Sequence, residues 1–282
     1  MKTQGNEVSK QRRRGLIFPR EHGAWGMLLV PLVTGGAIGL LDGGRIWPLA
    51  LLAVVAFVLF WLRTPLESWL GTSPMRTRSP EERRLAARAL LILGMFGGVT
   101  LITLFWNGAH AKLLWIGLIV AATFAAQALL KKSAPHARAA AQLIGALGLT
   151  CTAPAAYYVV TGHLDTKAWI LWLVNWLFAG DQIRFVQLKI RSARAEGLAD
   201  KLSHGLAFLI GQTVLACMLA LICYLGLLPW LALLAFVPVL VRGLLWFVEA
   251  PGPLIIRRLG WMELTQSVIF GILLVSGFHL FH

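Results

Sequence analysis

Pro19-Arg20-Glu21-His22-Gly23-Ala24-Trp25-Gly26-Met27-Leu28-Leu29-Val30-Pro31 opens an apolar run that continues to Leu41. From His22 onward the run has the length of about 20 residues that a helix needs to cross a hydrocarbon core. Such a span requires only a basic flank. Arg20, Glu21 and His22 side by side at its mouth are costly in lipid unless they find partners. They are therefore the first candidates for a working site.

Further runs follow at 46–63, 88–106, 112–131, 139–161, 166–184, 205–226, 228–248 and 263–281, about nine in all with 22–41. The chain is 58% hydrophobic and 13% charged, with a mean hydropathy of +0.73. A soluble domain is about a quarter charged. Helices satisfy their own backbone groups in lipid. The expected fold is all-α, a polytopic membrane bundle of about nine transmembrane helices. Residues 1–14 are expected to form a disordered basic tail, and 15–282 a single transmembrane helical domain. The first run ends at Asp42-Gly43-Gly44 without a small-residue cleavage site, so it is expected to remain as a span. Ser79-Pro80-Glu81-Glu82 has the pattern of a capped helix start. Gly35 with Gly39, and Gly94 with Gly98, have the spacing of close helix contacts.

A formal net charge of +14 would suggest nucleic acid in a soluble protein. Here the distribution matters more. Of 26 basic residues, all but Arg45, Lys112 and Lys167 fall on the side of the N-terminus. The positive-inside rule then predicts a cytoplasmic N-terminus and an outer C-terminus in a bacterial inner membrane. Membrane lipid is the expected partner, and nucleic acid is not. Cys151, Cys217 and Cys223 lie inside apolar runs without metal-ligand spacing and read as packing residues.

Arg63, Arg184 and Arg242 are embedded in apolar sequence where their spans end on the side expected to be cytoplasmic. They either line a shared anion pocket or snorkel to headgroups. Asp181 and Arg184 lie three residues apart with Gln187 three further on, so they orient a ligand together or form a local ion pair. Glu67 is four residues after Arg63, and Glu249 and Glu263 lie within reach of Arg242 or Arg257. The expected catalytic groups are Glu21, His22 and Asp181. The expected substrate-binding groups are Arg20, Arg63, Arg184, Gln187 and Arg242. No metal ligands are assigned.

Arg20-Glu21-His22-Gly23-Ala24-Trp25 leading into Met27-Leu28-Leu29-Val30-Pro31 resembles the opening of the YwiC-like family of bacterial membrane proteins. Phe60-Trp61-Leu62-Arg63-Thr64-Pro65-Leu66 and Arg184-Phe185-Val186-Gln187-Leu188-Lys189-Ile190-Arg191 also resemble that family. More distantly, the chain resembles the UbiA-type prenyltransferases, which have nine helices and hold magnesium and an isoprenyl diphosphate on two aspartate-rich motifs. At those places this chain has Arg63-Thr64-Pro65-Leu66-Glu67 and Asp181-Gln182-Ile183-Arg184. The paired aspartates are absent, and arginine repels magnesium, so no cofactor is expected. The resemblance implies a UbiA-like arrangement with a cytoplasm-facing pocket, in an isoprenoid- or lipid-modifying enzyme that binds a phosphorylated amphiphile. The alternative is a non-catalytic membrane protein or a carrier of anions or small molecules.

Overall fold

A computed structural model gives the structure of the protein and describes residues 12, 15–17, 22–71, 77–106, 108, 111–133, 137–193, 197–249 and 254–280. Among the described residues there are helices and no strands. In chain order these are α1 (His22–Leu41), α2 (Ile46–Leu70), α3 (Pro80–Trp106), α4 (Leu113–Ser133), α5 (Arg138–Thr150) and α6 (Thr152–Thr161). They continue with α7 (Thr166–Ser192), α8 (Leu198–Tyr224), a 3₁₀ segment (Trp230–Phe236), α9 (Val237–Val248) and α10 (Ile256–His279). The fold is an all-α polytopic membrane bundle.

Several helices outrun the apolar runs on the N-terminal face. α2 continues to Leu70, α3 begins at Pro80 and α7 reaches Ser192. Hydropathy marks only where lipid must be met, and a helix with satisfied ends continues into water. Ser79 Oγ accepts the Glu82 amide at 3.2 Å, with Pro80 in the first turn. The Glu82 carboxylate accepts the Arg78 amide at 2.7 Å and pairs with Arg12 at 2.7 Å. That carboxylate holds the Arg12 guanidinium proton more tightly than usual. Gly71, at φ 75°, closes α2 by donating its amide to the Glu67 carbonyl.

Two expected spans are interrupted. The run at 139–161 splits into α5 and α6 at Cys151. Pro154 has no amide to offer the carbonyl four residues before it, so the helix cannot pass through unbroken. The run at 228–248 opens as 3₁₀ because Pro238 likewise offers no amide to Leu234, whose carbonyl accepts from Val237 instead.

Among the described residues, seven helical stretches are long and apolar enough to cross a membrane. α1 offers a shorter apolar stretch, Trp25–Leu41, and α7 is not among the seven. α7 lies inside the bundle, against α1, α5, α6 and α8. Leu171, Val174, Asn175, Phe178 and Ala179 of α7 are all buried. A helix enclosed by other helices need not be apolar, provided its polar groups are bonded. Asn175 Nδ2 donates to Thr34 Oγ1 at 3.2 Å and to the Leu171 carbonyl at 2.8 Å.

Glycines set the closest contacts. Gly35 of α1 faces the backbone of Ala153, and Gly277 of α10 faces the backbone of Ala232; neither leaves room for a Cβ. Gly39 also packs on α6, at Val160, whereas Gly98 faces open space. At the N-terminal end, Leu16 is fully buried and Trp61 Nε1 donates to the Ile17 carbonyl at 2.9 Å.

Candidate functional site

α2, α4, α5 and α6, with Leu28 of α1 and Leu101 and Phe105 of α3, line a half-open cavity of about 490 Å³. Its wall is apolar over most of its length, from Leu113 and Phe105 at one end to Arg63, Leu66 and Gln127 at the other. The second end lies toward the N-terminal face, where α2 ends and α4 ends.

That end is basic. Arg63 Nε donates to Glu67 Oε1 at 3.0 Å, and Lys131 Nζ reaches the same oxygen at 3.2 Å. The i,i+4 spacing brings Glu67 beneath Arg63 on α2. Among the described residues, this one carboxylate stands between two cations. Arg63 uses only its Nε edge, and its Nη atoms make no hydrogen bond among the described residues. A guanidinium so held presents a planar pair of donors of the kind that grips a phosphate or carboxylate.

A second polar cluster lies between α7, α8, α9 and α10. Arg242 Nη2 donates to Asp181 Oδ2 at 3.1 Å, and Nη1 pairs with Glu263 Oε1 at 2.5 Å. Gln212 Nε2 donates to Asp181 Oδ1. Gln182 Nε2 donates to the Glu263 carbonyl and to Ser267 Oγ, each at 2.9 Å. The Arg242 guanidinium also lies 4.0 Å above the Phe185 ring. Asp181, Gln212 and Arg242 are each more than nine-tenths buried. Two carboxylates share one guanidinium here, so each charge depends on the others for its place in a low-dielectric interior. The chemistry is that of a clamp between helices.

α1 stands between the two clusters. Its Trp25 ring lies 4.7 Å from Phe60, beside the cavity. Gly26 faces the other way, where an added Cβ would come within 3.4 Å of Ser267 Oγ.

The residues anticipated from sequence are thus divided. Arg63 closes the cavity, while Asp181 and Arg242 meet in the second cluster. Asp181 pairs with Arg242, and Arg184 is exposed with its guanidinium over Gly211 of α8. Gln187 donates to Gln142 Oε1 at 2.6 Å. Arg20 and Glu21 lie outside the described residues, and His22 is the first residue of α1. Of the two acids near Arg242 in sequence, Glu263 takes it, and Glu249 pairs with Lys189 at 2.8 Å. Sequence reasoning passed over Gln127 and Gln212. Each is a single amide in an otherwise apolar run, and that isolation is the only signal either carries.

No curated protein and no solved structure matches the chain. A family model described as YwiC-like protein matches residues 18–157, the stretch that contains every residue lining the cavity. Over that stretch, just under half of the chain, the sequence matches that of the YwiC-like family.

Proposed function

We propose that the protein binds a phosphorylated amphiphile, an isoprenoid or lipid, from the cytoplasmic face of a bacterial inner membrane and modifies it. The hydrocarbon chain lies in the apolar cavity, and the anionic head meets Arg63. One observation carries this reading: at the basic end of an apolar cavity, Arg63 is held by one edge and its Nη edge has no hydrogen-bond partner among the described residues. The family match over the same stretch supports it, since the cavity belongs to the part of the chain shared with relatives.

Glu21 and His22 supply the acid–base pair in this reading. α1 and α2 run antiparallel, and Trp25 meets Phe60. Three residues further toward the N-terminal face, α1 reaches His22 and α2 reaches Arg63. This reading sets His22 and Arg63 at one level, and histidine is the side chain suited to proton transfer near neutral pH. Asp181, Arg242 and Glu263 hold α7, α9 and α10 together on the far side of α1 from the cavity.

Titration of the purified protein with phosphorylated amphiphiles, read by native mass spectrometry, tests the proposal. Wild type is expected to retain them, and Arg63→Ala to bind about tenfold or more weaker, the worth of a charge-assisted hydrogen bond. Equal retention by the two would sink the reading.

The interruptions at Cys151 and at the 3₁₀ segment favour a second reading, a carrier for the same anion, because transporters build their sites on broken helices. Movement of intact ligand into proteoliposomes, with no change in its mass, supports the carrier over the enzyme.

A further inference from the structure

The buried cluster between α7, α8, α9 and α10 is short of hydrogens. Both oxygens of Asp181 accept, Oδ1 from Gln212 Nε2 and Oδ2 from Arg242 Nη2. Glu263 is engaged by one oxygen, Oε1, which pairs with Arg242 Nη1. Its other oxygen, Oε2, is buried and has no hydrogen-bond partner among the described residues. The same holds for Gln212 Oε1 and for Gln266 Oε1, one turn further along α10. Against these three acceptors stands one buried donor without an acceptor, Arg242 Nε, whose guanidinium lies on the Phe185 ring. Among the described residues, the one other buried side-chain polar atom in this condition is Ser68 Oγ, away on α2. Such atoms are few in folded proteins and costly, so their gathering in one place points to a ligand that supplies a hydrogen. Turning the Gln212 amide over does not remove the shortage. Its oxygen would then face Asp181 Oδ1, and two acceptors in contact need a hydrogen between them.

The charges point the same way. Asp181 and Glu263 share one guanidinium, and two carboxylates in one desolvated site do not both ionise cheaply. Arg184, three residues from Asp181 on α7, is exposed and donates to neither carboxylate among the described residues. Of the other elements packed on α10, the 3₁₀ segment carries no titratable group, and α1 presents Gly26 to Ser267. Arg20, Glu21 and the His22 side chain lie outside the described residues, and Arg257 and Arg258 at the start of α10 are exposed. A metal ion would find one unengaged carboxylate oxygen beside a guanidinium, too few ligands next to a like charge. A proton needs one oxygen and almost no room.

We propose that Glu263 Oε2 is a proton-binding site, which takes up one exchangeable proton beside the Asp181–Arg242 pair. Glu263 is the more exposed of the two acids, with 12% of its side chain accessible against 4% for Asp181. It is therefore the one that water reaches first. The step forms a single O–H bond with a proton drawn from water. It turns Oε2 from a surplus acceptor into a donor, and it brings the two acids and Arg242 to charge balance. The proposal goes beyond the reading of the cavity and does not rest on it, since neither Arg63 nor a lipid takes part.

Infrared spectra of the full chain in detergent, recorded as the pH rises from about 6 to about 9, test it, because an ordinary glutamate is already ionised over that range. Wild type is expected to show a protonated-carboxyl band that is lost across the titration. The band is expected to shift when glutamate is isotope-labelled at its side-chain carboxyl carbon, and to stay in place when aspartate is labelled instead. Glu263→Gln, which fixes the neutral state, is expected to abolish it. The proposal is overturned by a wild type without the band, by a band that does not titrate, by one that moves with labelled aspartate, or by one that survives Glu263→Gln. The wild-type and labelling measurements need no variant. Should Glu263→Gln fail to fold, Asp181→Asn serves in its place. It removes the like charge that favours the proton and leaves Arg242 to Glu263 alone, so the band is expected to be lost, and an unchanged band overturns the proposal.

Discussion

Arg242 sits between two carboxylates that cannot both remain charged in the bundle without it. Replacing it by methionine leaves Asp181 and Glu263 unneutralised, and unfolding in denaturing detergent is expected to show a loss of about 3–5 kcal/mol. Converting Asp181 to Asn and Glu263 to Gln in the same variant is expected to restore most of that stability, since the cost lies in the stranded charges. Full stability of Arg242→Met alone contradicts the clamp. At this scale the sequence was readable wherever chemistry is local. Arg63 and Glu67 lie four apart on one helix, so their pairing follows from spacing. The partners of Asp181 do not, because Arg242 and Gln212 come from other helices and only packing decides between them and Arg184. Gln127 was illegible for another reason: hydropathy registers that an amide interrupts an apolar run, and not whether it faces lipid, a neighbour or a cavity.

The helices were largely visible as apolar runs of membrane length, and their ends were not. Past Arg63 in α2, and before Arg88 in α3, the chain stays helical because caps and ion pairs satisfy its ends, and hydropathy is blind to both. The breaks at Cys151 and Phe236 were hidden within continuous apolar runs, where a proline is the only mark. The contact between α1 and α6 rests on Gly35, where a side chain would strike the Ala153 carbonyl. Gly35→Leu is expected to lower the thermal midpoint through a loss of about 1–3 kcal/mol of packing or more. Gly98→Ala, which faces open space on α3, is expected to be neutral or to stabilise by up to about 1 kcal/mol through helix propensity. A Gly35→Leu protein as stable as Gly98→Ala would refute the close approach.

For the whole molecule, the skewed distribution of basic residues predicts an orientation that labelling tests. A membrane-impermeant maleimide is expected to label Arg45→Cys on intact cells and Arg78→Cys only after permeabilisation, in a background with Cys151, Cys217 and Cys223 replaced. The opposite pattern would reverse the assignment of faces. The two halves of the chain divide the polar chemistry. The half that matches the family holds the cavity, the other holds the Asp181–Arg242–Glu263 clamp, and α1 touches both through Trp25 and Gly26.

α7 also constrains how the chain enters the bilayer during synthesis. Insertion machinery tests each segment against lipid, and a charged residue at mid-span weighs about 2.5–3.5 kcal/mol against it. α7 carries Asn175, Asp181, Gln182 and Arg184, and falls short of the apolar character of its neighbours. Only the short turn Gly162-His163-Leu164-Asp165 separates it from α6, and Asp165 caps its first turn by accepting the Ala168 amide at 3.1 Å. Such a segment is expected to enter as the second arm of a hairpin with α6 and to need shelter until α8 emerges. The residue order of this chain is thus also an order of assembly, with the most polar helix made only after the walls that will surround it on three sides.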